Sequence, residues 1–98
     1  MSTVLDLQTV TVESFIPLVG TEFSTESAPL TLSEANTLRT PPHIPQARQP
    51  FRLTFTGAPP LLPQGVYSLA HTSLAPLDIF LVPIAGSADG FTYEAIFN

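Results

Sequence analysis

The side chains with the most obvious capacity for catalysis or metal binding are two histidines, His43 and His71, in a chain that has no cysteine. A zinc site takes three or four ligands, so it would need both histidines together with a carboxylate. No acidic residue stands at a ligand-like spacing from either histidine. The sequence therefore predicts no metal site and no bound cofactor.

A hydrolytic triad can be composed on paper from His71, Asp78 and one of several serines. No serine, however, lies in the tight strand-to-helix turn that exposes a nucleophile. Asp78 and Glu94 form a second candidate pair, because both lie on predicted neighbouring strands. Paired carboxylates perform acid-base catalysis when burial makes the pKa values of the two groups differ. Because so few basic residues are available to hold these two carboxylates, we expect both to be solvated. The sequence favours a protein that is not an enzyme, with a small hydrolase as the weaker alternative.

Aromatic side chains offer a different kind of site. Tyr67, Phe80, Tyr93 and Phe97 could line a face on which a sugar stacks, although alternating spacing of this kind is typical of a β-core. Asp89, in a Gly-Ser-Ala-Asp-Gly turn, is a single acid and indicates a turn rather than a calcium site. A small-molecule or glycan-binding β-domain stays open as an alternative function, but no feature of the sequence specifies such a ligand.

The charge balance excludes several classes of partner. Eight acids and three arginines give a net charge of −5, and there is no lysine. So acidic a chain has little with which to neutralise phosphates, which argues against nucleic-acid binding and against anionic membrane surfaces. The arginines, Arg39, Arg48 and Arg52, either form a local anion-binding patch or pair with surface carboxylates, and we expect pairing.

Charged residues make up 11% of the chain, against about 25% in ordinary soluble domains. Such a surface is either covered in part by other subunits or a partner, or is rich in Thr, Ser and Gln. No apolar stretch reaches the roughly 18 residues of a membrane helix, and residues 1–10 lack the features of a secretory signal. We expect a protein that is cytoplasmic by default, and assembly into an extracellular or virion-like structure stays open.

Hydrophobic periodicity organises these residues into a single β-domain over residues 1–98. Period-two alternation predicts short strands separated by Gly/Pro turns. The strands are expected around Phe23, from Leu30 toward Leu38, and over residues 51–56, 66–70, 77–84 and 91–98. About six such strands make a small antiparallel β-sandwich or barrel.

Two segments depart from that period. Within residues 1–20, Thr11 or Ser14 could cap a short or partly 3₁₀ helix whose apolar face would plug one end of the core, and Gly20 suits the left-handed residue after it. Residues 40–50 hold four prolines, which lack an amide donor, and so predict an extended surface loop rather than a paired strand.

The expected core follows from the inward positions of these elements. It comprises Phe15, Leu18, Phe23, Leu32, Leu53, Phe55, Leu69, Ile79, Leu81, Tyr93 and Phe97. The helix face that would plug one end of this core holds Phe15, Leu18 and Val19.

The strand over residues 77–84 is apolar on both faces. Leu77, Ile79 and Leu81 point one way, whereas Phe80, Val82 and Ile84 point the other, together with Ile96 on the likely neighbouring strand. Such a strand is covered on each side or lies under a partner. The sequence predicts self-association or binding of a protein partner through these four residues: Phe80, Val82, Ile84 and Ile96. The alternative is that residues 4–19 fold across this face within one chain.

Several motifs resemble an uncharacterised bacterial family of about this length. They are Phe-Ile-Pro-Leu-Val-Gly at 15–20, Pro-Phe-Arg-Leu-Thr-Phe-Thr-Gly at 50–57, Leu-Pro-Gln-Gly-Val-Tyr at 62–67, Phe-Leu-Val-Pro-Ile at 80–84 and Tyr-Glu-Ala-Ile-Phe-Asn at 93–98. The last resembles the Tyr-Glu-Ala-(Val/Ile)-Phe-Asn ending of that family. The resemblance brings no functional residues. It implies an association with phage-tail-like or collar-fibre assemblies, and hence a non-enzymatic structural or interaction module that is a subunit or accessory of such an assembly.

Overall fold

The computed structural model describes residues 10–39 and 49–97, which fold as two short 3₁₀ turns followed by six antiparallel strands. The predicted mostly β architecture is therefore confirmed. The 3₁₀ turns are Val12–Ser14 and Ile16–Leu18, and the strands are β1 Glu22–Phe23, β2 Leu30–Thr37, β3 Phe51–Gly57, β4 Gly65–His71, β5 Leu74–Ser87 and β6 Gly90–Phe97.

The strands form one sheet in the order β1-β2-β3-β6-β5-β4 that curls until its ends nearly meet. Ser24, directly after β1, forms an antiparallel bridge with Ala70 of β4 through two backbone hydrogen bonds of 2.9 Å. This seam between β1 and β4 brings the two edge strands together. The architecture is therefore a nearly closed barrel rather than a sandwich of two separate sheets.

The predicted amino-terminal helix is two single 3₁₀ turns. Pro17 lies at the start of the second turn, where its missing amide costs no hydrogen bond. Gly20 has φ of +90°, which confirms the expected left-handed residue after the turn. Thr11 takes the N-cap position of the first turn, but its side chain makes no capping hydrogen bond. Val19 was expected to plug the core and instead lies exposed.

Strand β5 extends beyond the predicted 77–84 at both ends. It contains two prolines, each of which lies beside a register shift in the sheet. Pro76 precedes Leu77 where the pairing with β4 shifts, and Pro83 borders the shift at Ile84 in the pairing with β6. A bulge needs no ladder amide from the extra residue, so proline is accepted there. The strand pairs first with β4 and then with β6, and so joins both parts of the barrel wall.

The core runs through the barrel and is closed at one end by the 3₁₀ turns. All the predicted core residues are buried. Phe15 packs against the stacked rings of Phe51 and Phe97, with ring centroids 5.8 Å and 6.0 Å away. The buried residues that the expected core did not include are Val10, Val12, Leu30, Phe51, Leu62, Leu77 and Ala95.

The loop from Ala58 to Gln64 covers the barrel near β6. Leu62 is buried, and its backbone N–H donates to the Tyr93 hydroxyl at 2.9 Å. Without that bond the N–H of Leu62 would be buried with no hydrogen-bond partner, which is costly. Within the described part of the chain, no helix has the length and hydropathy to span a bilayer. The predicted proline-rich loop lies mostly outside the described residues, as do His43, Arg48 and Asn98.

Candidate functional site

His71 lies at the seam between β1 and β4, where both of its ring nitrogens are hydrogen-bonded. The backbone N–H of Ser73 donates to Nδ1 at 2.9 Å, so Nδ1 is an acceptor and the neutral ring carries its proton on Nε2. Nε2 then donates to the Thr21 hydroxyl at 2.9 Å, and that hydroxyl donates to the Leu18 carbonyl at 2.6 Å. The ring also packs against Phe23, with centroids 4.7 Å apart.

These hydrogen bonds orient Nε2 of His71 as a donor toward the Thr21 hydroxyl. A general base for a serine or threonine nucleophile must instead accept the hydroxyl proton at Nε2. Thr21 is also committed to the Leu18 carbonyl. The arrangement is one that ties the 3₁₀ turns to the end of β4, and it does not form the nucleophile-base pair of a hydrolase.

The structure does not bring His71 and Asp78 together. Asp78 lies on the outer face of the barrel opposite Ser68, whereas His71 turns toward buried Phe23. Nor are Asp78 and Glu94 paired: Glu94 lies level with Val82, four residues along β5 from Asp78, which is about 13 Å at the rise of a strand.

Glu94 is held by Arg52 instead. Nη1 of Arg52 lies 3.5 Å from a Glu94 carboxylate oxygen, and both side chains are partly exposed. Pairing with a surface carboxylate was the expected role of the arginines, and it is confirmed for Arg52. Nε of the same guanidinium is buried and has no hydrogen-bond partner among the described residues.

Two open grooves lie among the described residues. One, of about 400 Å3, follows the β1–β4 seam and is lined by Glu22, Ser24 and the end of β4. The other, of about 410 Å3, lies beside the β5–β6 turn and includes Asp89. Within the described ranges, no three His, Cys, Asp or Glu side chains are grouped so that they could hold a metal ion.

The four aromatic residues considered for stacking are divided by the fold. Tyr93 and Phe97 are buried in the core, and Tyr67 is half-buried against it, with its hydroxyl donating to the Pro63 carbonyl. Phe80 projects from the outer face. A flat stacking face made by all four rings is therefore not formed.

The outer face of β4, β5 and β6 carries a band of apolar side chains, which we call the outer strip: Val66, Phe80, Val82, Ile84 and Ile96. The exposed fractions are 68% for Val66, 49% for Phe80, 51% for Ile84 and 48% for Ile96, and Val82 is half-buried. The inward neighbours Leu77, Ile79 and Leu81 are buried, so β5 is apolar on both faces in the fold as in the sequence.

Cross-strand register assembles this strip from three strands. Val66 pairs directly with Phe80. Phe80 precedes Val82 by two residues and Ile96 follows Glu94 by two, so both project from the same outer face as the Val82–Glu94 pair. Ile96 is in turn opposite Arg52 of β3. The strip therefore ends at the Arg52–Glu94 ion pair.

The described part of the amino-terminal segment, residues 10–19, does not cover the outer strip. Val10, Val12, Phe15 and Leu18 are buried in the core, while the outer strip keeps its exposure. Residues 4–9, which the internal-cover alternative also required, lie outside the described residues.

Val66 is the member of the strip that sequence reasoning missed. The expected core included Leu69, which leaves Val66 on the outer face of β4, but nothing in the sequence placed Val66 beside Phe80. The pairing of β4 with β5 does so, because Leu69 faces Leu77 in the core and Val66 faces Phe80 outside.

Comparison with known proteins identifies a family and no individual relative. A family model described as a domain of unknown function, DUF6916, matches residues 10–97. No curated protein and no solved structure matches the chain.

Proposed function

This chain belongs to the DUF6916 family, and we propose that it is a non-enzymatic module that binds another protein through the outer strip. The observation that carries the proposal is the set of exposed apolar side chains, Val66, Phe80, Ile84 and Ile96, on the outer face of three adjacent strands. Contiguous apolar surface rimmed by polar groups is typical of protein interaction sites.

The border of the strip supports a protein partner rather than a small ligand. An apolar centre with an arginine at its rim matches the composition of protein interfaces, in which aromatic residues and Arg are enriched. The Arg52 side chain is partly exposed, so its guanidinium offers donors for a carbonyl or carboxylate of the partner. The strip is a convex barrel face, whereas small-molecule sites are concave.

Energetics indicate how much partner surface is needed. Complete burial of a large apolar side chain yields about 1.5–3 kcal/mol, so the four exposed members of the strip, each with about half of that left to gain, supply roughly 3–6 kcal/mol. Association costs at least about 4 kcal/mol in lost translational and rotational freedom. The strip by itself gives weak binding, and a stable complex needs contacts beyond it.

The biological setting that we propose is a larger assembly, with this chain as a subunit or accessory of a phage-tail-like or fibre structure. The support is the low content of charged residues, 11%, together with an apolar outer face on a barrel whose core is already filled. A module repeated or enclosed in an assembly has its apolar faces covered by neighbours.

Phe80→Asp tests the proposal, because it places a charge at the centre of the strip while leaving the core unchanged. We expect capture of the native partner from host extract by the immobilised variant to fall at least tenfold. The matched control is Ile16→Asp, since Ile16 is equally exposed, at 52%, but lies on the second 3₁₀ turn. Circular dichroism checks that both variants keep the fold.

The rival functions predict other outcomes. A hydrolase would lose turnover when His71 and Asp78 are both replaced by alanine, whereas we expect that double variant to keep full partner capture. A glycan-binding domain would give a hit on a glycan array that disappears in Phe80→Ala. Equal capture by Phe80→Asp and the unmodified protein would contradict the proposal.

A further inference from the structure

Among the described residues, strand β4 has no neighbour along part of its backbone edge. The N–H and C=O of Ala70 bond to Ser24 across the seam, so both point away from β5. Backbone groups alternate in direction along a strand, and the register shift in this part of the sheet adds its extra residue to β5 rather than β4. The N–H and C=O of Val66 and Ser68 therefore also point away from β5.

A turn after β1 explains why that edge stays uncovered. The hydroxyl of Thr25 accepts hydrogen bonds from the N–H groups of Ser27 and Ala28 and donates to the Ala28 carbonyl. The turn directs the chain into β2 directly after the Ser24–Ala70 bridge. Among the described residues, no backbone hydrogen bond joins Val66 or Ser68 to β1 or to the turn.

This edge lacks the features that usually prevent strand pairing between molecules. Natural edge strands are protected by charged side chains, prolines or bulges. Residues 64–74 contain no Asp, Glu, Lys, Arg or Pro, although the chain as a whole carries a net charge of −5. Val66, at the exposed corner, is the most exposed of the large apolar side chains described.

We propose that a second copy of this chain pairs with this edge, β4 against β4, about a two-fold axis at Tyr67. In that antiparallel register, Val66 of each copy faces Ser68 of the other. Each of these residues has one N–H and one C=O that no other described segment bonds, so the two symmetric pairs form four backbone hydrogen bonds. The edge N–H and C=O groups of one copy thus bond to the same set of groups on the other copy, as a two-fold interface requires.

The charge distribution permits this approach. Asp78 is the acidic residue of β5 that flanks the edge, opposite Ser68. In the paired arrangement the two Asp78 side chains are separated by three strand spacings, roughly 14 Å, which exceeds the screening length of about 8 Å at physiological salt. The inference goes beyond the proposed function, because the backbone edge rather than the outer strip carries it.

Pairing also joins the two outer strips. Val66 of one copy lies diagonal to Val66 of the other, at about 7–8 Å, and both project from the same side of the continuous sheet. The combined apolar surface then exceeds that of one barrel, which supplies the additional contact area that a stable complex with a further partner needs.

Ser68→Pro tests the pairing, since proline removes the edge N–H of residue 68 without removing a hydrogen bond to β5. Ser68→Thr is the matched control, because it changes the same side chain and keeps the N–H. We expect sedimentation over a concentration series up to roughly 1 mM, which reaches weak dimers, to show a dimer for the unmodified protein and for Ser68→Thr. The dissociation constant of Ser68→Pro should be at least tenfold higher.

Hydrogen exchange of the unmodified protein gives a second measurement that needs no variant. The amides of Val66 and Ser68 should exchange more slowly as the protein concentration rises, whereas that of Tyr67, already bonded within the sheet, should not change. A monomer throughout the concentration series overturns the inference, and so does a Ser68→Pro protein that dimerises normally. Dimers lost in Phe80→Asp but kept in Ser68→Pro would assign self-association to the outer strip, and that result would leave the proposed function intact.

Discussion

Phe15→Ala is expected to lower the free energy of unfolding by about 3–5 kcal/mol, the range for removing a fully buried phenylalanine. Phe15 is 0% exposed and joins the 3₁₀ turns to the Phe51–Phe97 stack, whose centroids are 4.5 Å apart. The substitution removes two aromatic contacts and leaves a cavity that Phe51 of β3 and Phe97 of β6 cannot easily fill. Urea unfolding followed by circular dichroism measures the loss.

Ile16→Ala is the control for this experiment. Ile16 is the next residue along and is about half exposed, so its truncation should cost much less, roughly 0.5 kcal/mol as for an ordinary surface site. Equal effects of the two substitutions would mean that the amino-terminal turns do not form part of the core.

Gly90→Ala is expected to destabilise the protein by at least about 2 kcal/mol, through backbone strain and overpacking together. Gly90 begins β6 with φ of +156°, a conformation that other residues rarely adopt. A Cβ at this position would lie 2.6 Å from the Gly57 carbonyl oxygen, and backbone of a paired strand cannot easily move away. Thermal unfolding of the variant measures the effect.

Gly65→Ala is the matched control, with the opposite sign. Gly65 has no positive φ, and a Cβ there would meet no atom within 4 Å. Alanine should therefore stabilise the protein by about 0.4–1 kcal/mol, because it restricts the unfolded chain more than the folded one. A stabilising Gly90→Ala, or two glycine variants of equal stability, would contradict the geometry of the β5–β6 turn.

Local alternation predicted most of the inner surface of this barrel. Phe51-Arg52-Leu53-Thr54-Phe55 alternates between buried and half-buried residues along β3 as expected, and Tyr93 and Phe97 of β6 are buried. These positions are determined by a period of two that a sequence displays directly.

The features that sequence reasoning missed depend on contacts between distant segments. Leu62 is buried because its N–H meets the Tyr93 hydroxyl from another strand, and a proline-rich loop gives no local sign of that contact. The predicted strand over residues 77–84 is shorter than β5, because the strand continues through bulges beside Pro76 and Pro83 that only the pairing with β4 and β6 reveals.

The candidate site was predicted in part for the same reason. Phe80, Val82, Ile84 and Ile96 were identified because they are apolar on a face that is usually polar when exposed to solvent. Val66 is a single apolar residue on the outer face of β4, so only the cross-strand register and the Ser24–Ala70 bridge reveal its position in the strip and the open edge of β4. Strand order, which sets both, is a long-range property of the sheet.

The central claim is that the outer strip contacts another protein, and site-specific photo-crosslinking in the native host tests it most directly. A photoreactive phenylalanine analogue replaces Phe80 in one variant and the similarly exposed Ile16 in another. The account predicts a discrete protein adduct from position 80 and none from position 16. No adduct at position 80, or the same adducts at both positions, would contradict it.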